Sequence, residues 1–332
     1  MIGYYIHHHG TGHLSRAVTL ANAMGRPVWG LSSLAQPAGW PGEWLELTRD
    51  DSGGPPRQPT AGGRLHWAPE LDAGLAARWH EMSCWITTHR PEVIVVDVSV
   101  EAALMARLHG IPVVGVVLPG RRDDPAHVLG YDICEELVGA WPPDAGDMVP
   151  GMPRHLVDRI RPIGAVSRHP VRERSERSPG PPRVVLITGT GGHAITNAQV
   201  VAAQTQTPDW EWTVLSRELG AWVRDPRRAL EEADVVVTNA VQGAIAEVAA
   251  ARRPAVVIPQ ARPFDEQVTT AQVLAADWPA LVENAFPSTG WRQRLQGAAG
   301  LDGRRWERWC DGNAPERFAA VVEGVTKVRA LS

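Results

Sequence analysis

Short runs of β-branched residues alternate with longer stretches of helical periodicity along most of the chain. The first run is Gly3 to His7, and in the helix after it, about Leu14 to Met24, the residues Leu14, Ala17, Val18 and Ala21 share one face. Strands follow at Val93 to Asp97 and Pro112 to Leu118, around a helix at Val100 to His109. Further on, strands are predicted at Arg183 to Ile187, Trp212 to Leu215, Asp234 to Thr238 and Ala255 to Pro259. Helices are predicted at Ala194 to Gln204, Gly243 to Ala251 and Glu266 to Ala275. Strand and helix in this succession give parallel sheets joined by crossover helices, an α/β protein.

Glu92 to Pro119 is echoed by Asp234 to Pro259, so each half repeats one plan and two Rossmann-like domains are expected. The polar, Pro- and Gly-rich segment Glu173 to Pro182 reads as a linker. The expected division is therefore 1–172, a linker at 173–182, a second domain at 183–314, and a C-terminal helix in 315–332 packing back on the first domain. Gly53 to Gly63, also Pro- and Gly-rich, reads as a surface loop.

Composition narrows the chemistry. The 332 residues carry 33 Lys plus Arg against 37 Asp plus Glu, a net charge of −4, so no basic field reaches for nucleic acid. Lys327 is the single lysine and lies far from every glycine-rich loop, which excludes a P-loop, a protein-kinase ATP site and a pyridoxal Schiff base. Cys84, Cys134 and Cys310 are widely spaced without a Cys-x-x-Cys, so neither a disulfide framework nor a zinc knuckle is expected. No leader pattern opens the chain, and its longest apolar runs, such as Ile111 to Pro119, fall short of the roughly 18 residues a spanning helix needs. A cytoplasmic protein, peripheral at most to the inner face of a membrane, is expected. The fourteen Trp are scattered, as core residues would be, rather than forming a stacking platform.

The first strand runs into His7-His8-His9-Gly10-Thr11-Gly12-His13 and a helix begins there, at the place where open α/β sheets bind ligands. The helix N-terminus favours a neutral His13, a candidate general base; a histidine that only caps the helix fits the same spacing. Four histidines in so short a run suggest a metal, but alternation on a strand would point His8 away from His7 and His9, and no nearby carboxylate completes a set, so no metal is expected. In the second half, Thr188-Gly189-Thr190-Gly191-Gly192-His193 follows a strand and opens a helix, an anion site of backbone amides suited to a diphosphate. Glu247, early on one helix, and Asp265-Glu266-Gln267, opening the next, lie at neighbouring strand ends, where carboxylates can take sugar hydroxyls; a solvated helix charge and an N-cap are the plain alternatives.

With these residues the sequence resembles the GT-B glycosyltransferases, nearest to the bacterial N-acetylglucosaminyltransferases of the peptidoglycan precursor. The resemblance runs from Gly10-Thr11-Gly12-His13 to the helix around Phe318 to Val328 and is most specific over Ala233 to Gln267. It implies two Rossmann-like domains facing across a cleft and a nucleotide-sugar co-substrate, a UDP-sugar by the same resemblance, with no other cofactor. By it, Gly12 and Gly189 to Gly192 (with Thr190 and Gly191) approach the diphosphate, the backbone near Val223 meets the base, Glu247 holds the ribose, and Glu266 and Gln267 contact the sugar. His13 faces them as base or phosphate contact. Two positions depart: Val241 stands where the family has glycine and Ala244 where it has Ser or Thr, leaving Asn239, Gln242 and Gly243 to line the phosphates.

The expected activity is inverting, metal-independent transfer of a hexose-type sugar to an acceptor hydroxyl held by the first domain, with His13 or Asp97 as base. The acceptor, small or lipid-linked, has no decodable pattern in Gly53 to Gly63 or Gly120 to Pro125; Arg121 and Arg122 read as surface arginines, with contact to a phosphate-bearing acceptor or a membrane surface as the alternative. Two alternatives use the same residues. Gly10-x-Gly12-His13-x-x-Arg16 also resembles nucleotide-sugar hydrolases, and Ala244 suits a non-catalytic nucleotide-sugar binding protein.

Overall fold

Strands built wholly of buried apolar residues, such as Val93–Val96 and Val113–Val117, are what a parallel sheet covered on both faces demands. The computed structural model describes residues 1–51, 53–173, 180–189, 192–220, 223 and 225–330. These fall into two units: Met1–Ala140, Gly151–Ile163 and the chain from Pro315 on, and Trp141–Pro150 with Gly164–Ala314.

The first unit contains β1 (Ile2–Ile6), α1 (Thr11–Ala23), β2 (Val28–Ser32), β3 (Trp44–Glu46), α2 (Ala73–His89) and β4 (Val93–Asp97). It continues with α3 (Val100–Leu108), β5 (Val113–Val117), α4 (Pro125–Asp132), β6 (Glu136–Gly139), α5 (Arg154–Val157) and β7 (Ile160–Pro162). Its seven strands are all parallel in the order β3-β2-β1-β4-β5-β6-β7. The order reverses between β1 and β4, and their carboxyl ends form the switch point where such sheets bind ligands.

The second unit contains β8 (Arg183–Ile187), α6 (Asn197–Gln206), β9 (Glu211–Leu215), α7 (Arg227–Glu232), β10 (Val235–Thr238) and α8 (Gln242–Ala250). It continues with β11 (Ala255–Val257), α9 (Glu266–Asp277), β12 (Ala280–Val282) and α10 (Trp291–Ala299). Its sheet is parallel in the order β12-β11-β10-β8-β9, with its switch point between β8 and β10. Val184, Leu186, Val235, Val237 and Val256 form its core with Phe286, Trp291 and Leu295. The last helix, α11 (Ala314–Ala330), joins the first unit: Phe318 is buried against Tyr4 at 6.3 Å between rings, and Arg317 Nη1 donates to Ile163 O at 2.7 Å.

The echo between Glu92–Pro119 and Asp234–Pro259 is two strand-helix-strand units, β4-α3-β5 and β10-α8-β11. Elsewhere the structure differs from expectation. The first strand ends at Ile6, one residue short of His7. The helix after the glycine-rich turn begins at Asn197 rather than Ala194, because Thr196 and Gln199 form a reciprocal capping box. The chain passes to the second unit at Gly164, ahead of the segment read as a linker, since Ala165 N donates to Trp309 O at 2.9 Å and Arg172 N to Ala250 O at 3.0 Å. The strands β2 and β3 and the helix α2 have no counterpart in the expected elements. Gly53 to Gly63 is exposed apart from Pro59 and forms no helix or strand. Of the tryptophans, Trp291 and Trp306 are fully buried, and each indole N–H is satisfied by a carbonyl at 2.8 Å, of Pro287 and Arg253 respectively.

Candidate functional site

At the first switch point, Gly10 takes a left-handed φ of 86° and turns the chain from β1 into α1, which places His13 in the first helical turn. Asp97 ends β4, paired with Ile6 of β1. Its carboxylate is fully buried and accepts from Arg16 twice, Nε to Oδ2 at 3.1 Å and Nη2 to Oδ1 at 2.5 Å. His13 Nδ1 lies 2.9 Å from Oδ1. Burial pushes the Asp97 carboxyl up, but Arg16 and then His13 overcome it and hold the group well below the usual range. An ionised carboxylate only accepts, so in this pair Nδ1 is the donor, and Nε2 is the ring nitrogen not bonded to Asp97. His13 and Asp97, alternatives in the sequence, are thus partners in one hydrogen-bonded set, with Arg16 Nη2 3.1 Å from His13 Nδ1 as well. Directly after Asp97, Val98 adopts φ 62°, a left-handed conformation that costs a β-branched residue on the order of 1–3 kcal/mol.

The histidine run is not strand-like, because β1 has ended. His8 and His9 lie with their ring centroids 4.3 Å apart, and both approach Asp51 Oδ2, at 3.3 and 2.9 Å. The expectation that no carboxylate completes this set is therefore corrected: Asp51 arrives from 42 residues away along the chain. Arg49 grips the same carboxylate at 2.9 and 2.6 Å, placing a cation where a metal would have to sit beside it. A second set, His66, Asp124 and His127, has its donor atoms within 4.8 Å of one another, with Arg122 Nη1 3.2 Å from His127 Nε2. Arg122 is also a correction, since it is buried and donates to Pro119 O instead of lying on the surface. Arg121 is exposed.

At the second switch point β8 leads into Gly189; Thr190 and Gly191 lie outside the described residues. Gly192 has φ 79°, and its carbonyl accepts from Arg262 Nη2 at 2.5 Å. The start of α6 is capped by its own chain: Thr196 Oγ1 accepts from Gln199 N at 3.3 Å and Gln199 Oε1 from Thr196 N at 2.9 Å. The start of α8 is open: its N-cap Val241 provides no side-chain cap, and a Cβ added at Gly243 would meet nothing within 4 Å. Gln242 is its first residue.

Beside that helix end, Asn239 is buried, and neither its Nδ2 nor its Oδ1 has a hydrogen-bond partner. A Cβ on Gly189 would lie 3.7 Å from Asn239 Nδ2, so the two strand ends adjoin. Gln267 turns inward: its Oε1 accepts from Ala240 N at 3.2 Å and Gln260 N at 3.0 Å, while Nε2 is buried and unpartnered. These bonds commit the Gln267 oxygen to bracing the strand ends and leave Nε2 as its unmatched polar atom. Gln260 Oε1 continues the brace to Ala194 N at 2.9 Å. Buried polar atoms left unmatched cost about 1–3 kcal/mol each, so a cluster of them beside an uncapped helix suits a polar, anionic ligand.

Glu247 is the sixth residue of α8, deeper in the helix than expected, and is no solvated charge. Its Oε1 meets Arg168 Nε at 2.6 Å, and burial still holds its carboxyl above the usual range. Phe264 and Asp265 take consecutive left-handed conformations, φ 59° and 54°, and Asp265 is the N-cap of α9 without a side-chain bond. Asp265 is exposed, Glu266 half-buried, and Val223 exposed in the loop before α7. The sequence reading passed over Arg168 and Arg262; a cation flanking a motif carries no periodic signal.

No family model matches the chain, and no curated protein matches it. Among solved structures, MurG of Acinetobacter baumannii is similar at 16% identity, over 97% of this chain and 99% of that one, with a TM-score of 0.65. The calicheamicin glycosyltransferase CalG4 is similar at 15% identity, over 98% of each chain, with a TM-score of 0.66. The chain has the GT-B fold. A third GT-B structure, the spinosyn rhamnosyltransferase SpnG complexed with thymidine diphosphate, is similar at 18% identity over the whole of both chains, with a TM-score of 0.62. At such identities the likeness establishes the GT-B architecture of two parallel sheets with interleaved helices.

Proposed function

We propose that the protein is a glycosyltransferase that moves a hexose-type sugar from a nucleoside diphosphate, UDP in the simplest reading, to an acceptor hydroxyl, with inversion and without a metal. The observation that carries this reading is Asn239, buried with both amide atoms unmatched, beside Gly189 and the uncapped start of α8 at the second switch point. The neighbours in fold are glycosyltransferases, and one of them is complexed with thymidine diphosphate. In this reading the α8 amides, Asn239, Gly189 and Gly192 receive the diphosphate, Glu247 takes the ribose hydroxyls, the backbone near Val223 meets the base, and Glu266 contacts the sugar. Gln267 braces the strand ends that carry these groups.

His13 Nε2 removes the acceptor proton as the hydroxyl oxygen attacks the anomeric carbon. Asp97 stabilises the imidazolium that forms, and the departing diphosphate is met by the α8 amides. The second reading, hydrolysis of a nucleotide sugar, is favoured by the same His13, Asp97 and Arg16 set, because water can replace the acceptor hydroxyl at Nε2.

Incubation with UDP- and dTDP-sugars, with and without extracted acceptors, separates the two. Transfer releases nucleotide only with acceptor; hydrolysis releases free sugar without it. His13→Ala should lower turnover about 100-fold or more in either case. Undiminished turnover would remove His13 from the base role, and failure of the wild-type protein to bind any nucleotide sugar would sink both readings.

A further inference from the structure

A ribose carries two adjacent hydroxyls, and a carboxylate accepts from both only when it is ionised and its plane is held. Glu247 meets neither condition by itself. Burial raises its carboxyl above the usual range and Asp225 pushes the same way, while Arg168 is the cation that opposes them.

Arg168 reaches Glu247 from a segment fixed along α8. Ala165 N donates to Trp309 O at 2.9 Å and Arg172 N to Ala250 O, in the last turn of α8, at 3.0 Å, so the chain between them is tied at both ends. Within it, His169 N donates to Ser167 Oγ at 3.0 Å. From this strap Arg168 Nε lies 2.6 Å from Oε1 of Glu247, and Nη2 donates to Oε2 at 3.4 Å. One donor on each oxygen is the fork that fixes a carboxylate's plane. It occupies one lone pair of each oxygen and leaves another on each, and the Glu247 side chain keeps 12% exposure, an edge open to a ligand. Glu247 stands five residues beyond Gln242, about 7.5 Å along α8 from its uncapped start, and a helical side chain leans back toward that start. A ribose attached to a phosphate at the start of α8 spans that interval.

Resting on the donor reading above, we propose that Arg168 is a positioning residue: it locks the Glu247 carboxylate as a receptor for a ribose cis-diol, and through Glu247 makes the site select a ribonucleoside diphosphate over its 2′-deoxy counterpart. Arg168 acts on the carboxylate and not on the ligand, so none of its charge need be spare. A 2′-deoxyribose offers one hydroxyl where two are received and leaves a desolvated oxygen without its donor.

Calorimetric titration with UDP and dUDP, which differ only in the 2′-hydroxyl, tests this. Wild-type protein should bind UDP at least about 10-fold more tightly than dUDP. Arg168→Gln should weaken UDP about 10-fold and dUDP less than about 3-fold, so that the preference collapses. Arg168→Lys, which keeps the charge but loses the fork, should fall between; it also guards against misfolding of the glutamine variant, as does comparison of ligand-free melting temperatures. Glu247→Gln should remove the preference as well, and adding Arg168→Gln to it should cost less than about 2-fold more, because one residue acts through the other. Equal weakening of UDP and dUDP by Arg168→Gln would make Arg168 a brace for the strap and overturn the proposal, as would additive losses in the double variant. A wild-type protein that binds both nucleotides equally would overturn the proposal and leave the donor reading standing, whereas one that binds neither would overturn the donor reading itself.

Discussion

Asp97 shows how one side chain can be indispensable without being the reacting group. It is fully buried and engaged by Arg16 and His13, so its oxygens are occupied in holding charge. Asp97→Asn keeps the shape but sets an amide NH2 against the Arg16 donors, and the imidazole loses the anion that fixes its tautomer. Turnover should drop about 100-fold or more while direct titration shows nucleotide affinity within about 2-fold of wild type, because the donor groups belong to the other unit. Comparable losses in both quantities would mean that Asp97 supports the fold rather than the base. Each residue of the pair was visible in the sequence, His13 as part of a motif and Asp97 as a strand end. Their contact was not, because it joins residues 84 positions apart and only the β1/β4 pairing brings them together.

At the scale of elements, α6 and α8 contrast two ways of ending a helix. Thr196 closes the first with its own side chain, and nothing from Val241 closes the second. Thr196→Ala should therefore cost about 1 kcal/mol of stability and leave nucleotide affinity alone. Gly243→Asp should do the reverse. A carboxylate in the first turn of α8 gains about 0.3–1 kcal/mol from the helix dipole yet repels a diphosphate, so melting temperature rises or holds while affinity for UDP falls. If both variants merely destabilise, the α8 start is not an anion site.

Elements with clean apolar runs were legible, among them β4, β5, β8 and β10, whereas α2 was not. Arg78 sits on its buried face, fully enclosed and bonded to Tyr5 OH at 2.9 Å and to Asp50, so the apolar stripe is broken where the helix packs deepest. The start of α6 was missed for a different reason. The glycine-rich turn drew the boundary toward Ala194, although Thr196 and Gln199 carry the capping pattern.

Over the whole molecule, the histidines with the largest shifts lie in the first unit. Burial, reinforced by His13 and the neighbouring histidines, lowers His7 from an ordinary value near 6.5 to about 3; burial, opposed by Asp124, lowers His127 to about 4. Both are neutral in the folded chain and take a proton more readily once unfolded, so the unfolded state binds more protons below pH 6.5 and stability falls as acid is added. The loss begins near pH 6.5 and is complete only once each folded group titrates, near pH 4 for His127 and pH 3 for His7. At pH 5 it amounts to about 2 kcal/mol per histidine. In the second unit, His169 is also lowered, but Glu247 runs the other way: burial raises its carboxyl, the folded state holds that proton more tightly, and acid relieves it. Scanning calorimetry from pH 7 to pH 5 should therefore show the first unit's transition falling by roughly 5–15 °C and the second unit's moving less. His127→Gln, which keeps a polar group at the site but cannot titrate, should remove about half of that fall. A second unit that melts first as pH drops, or a His127→Gln protein as acid-sensitive as wild type, would show that the acid response is set by other groups.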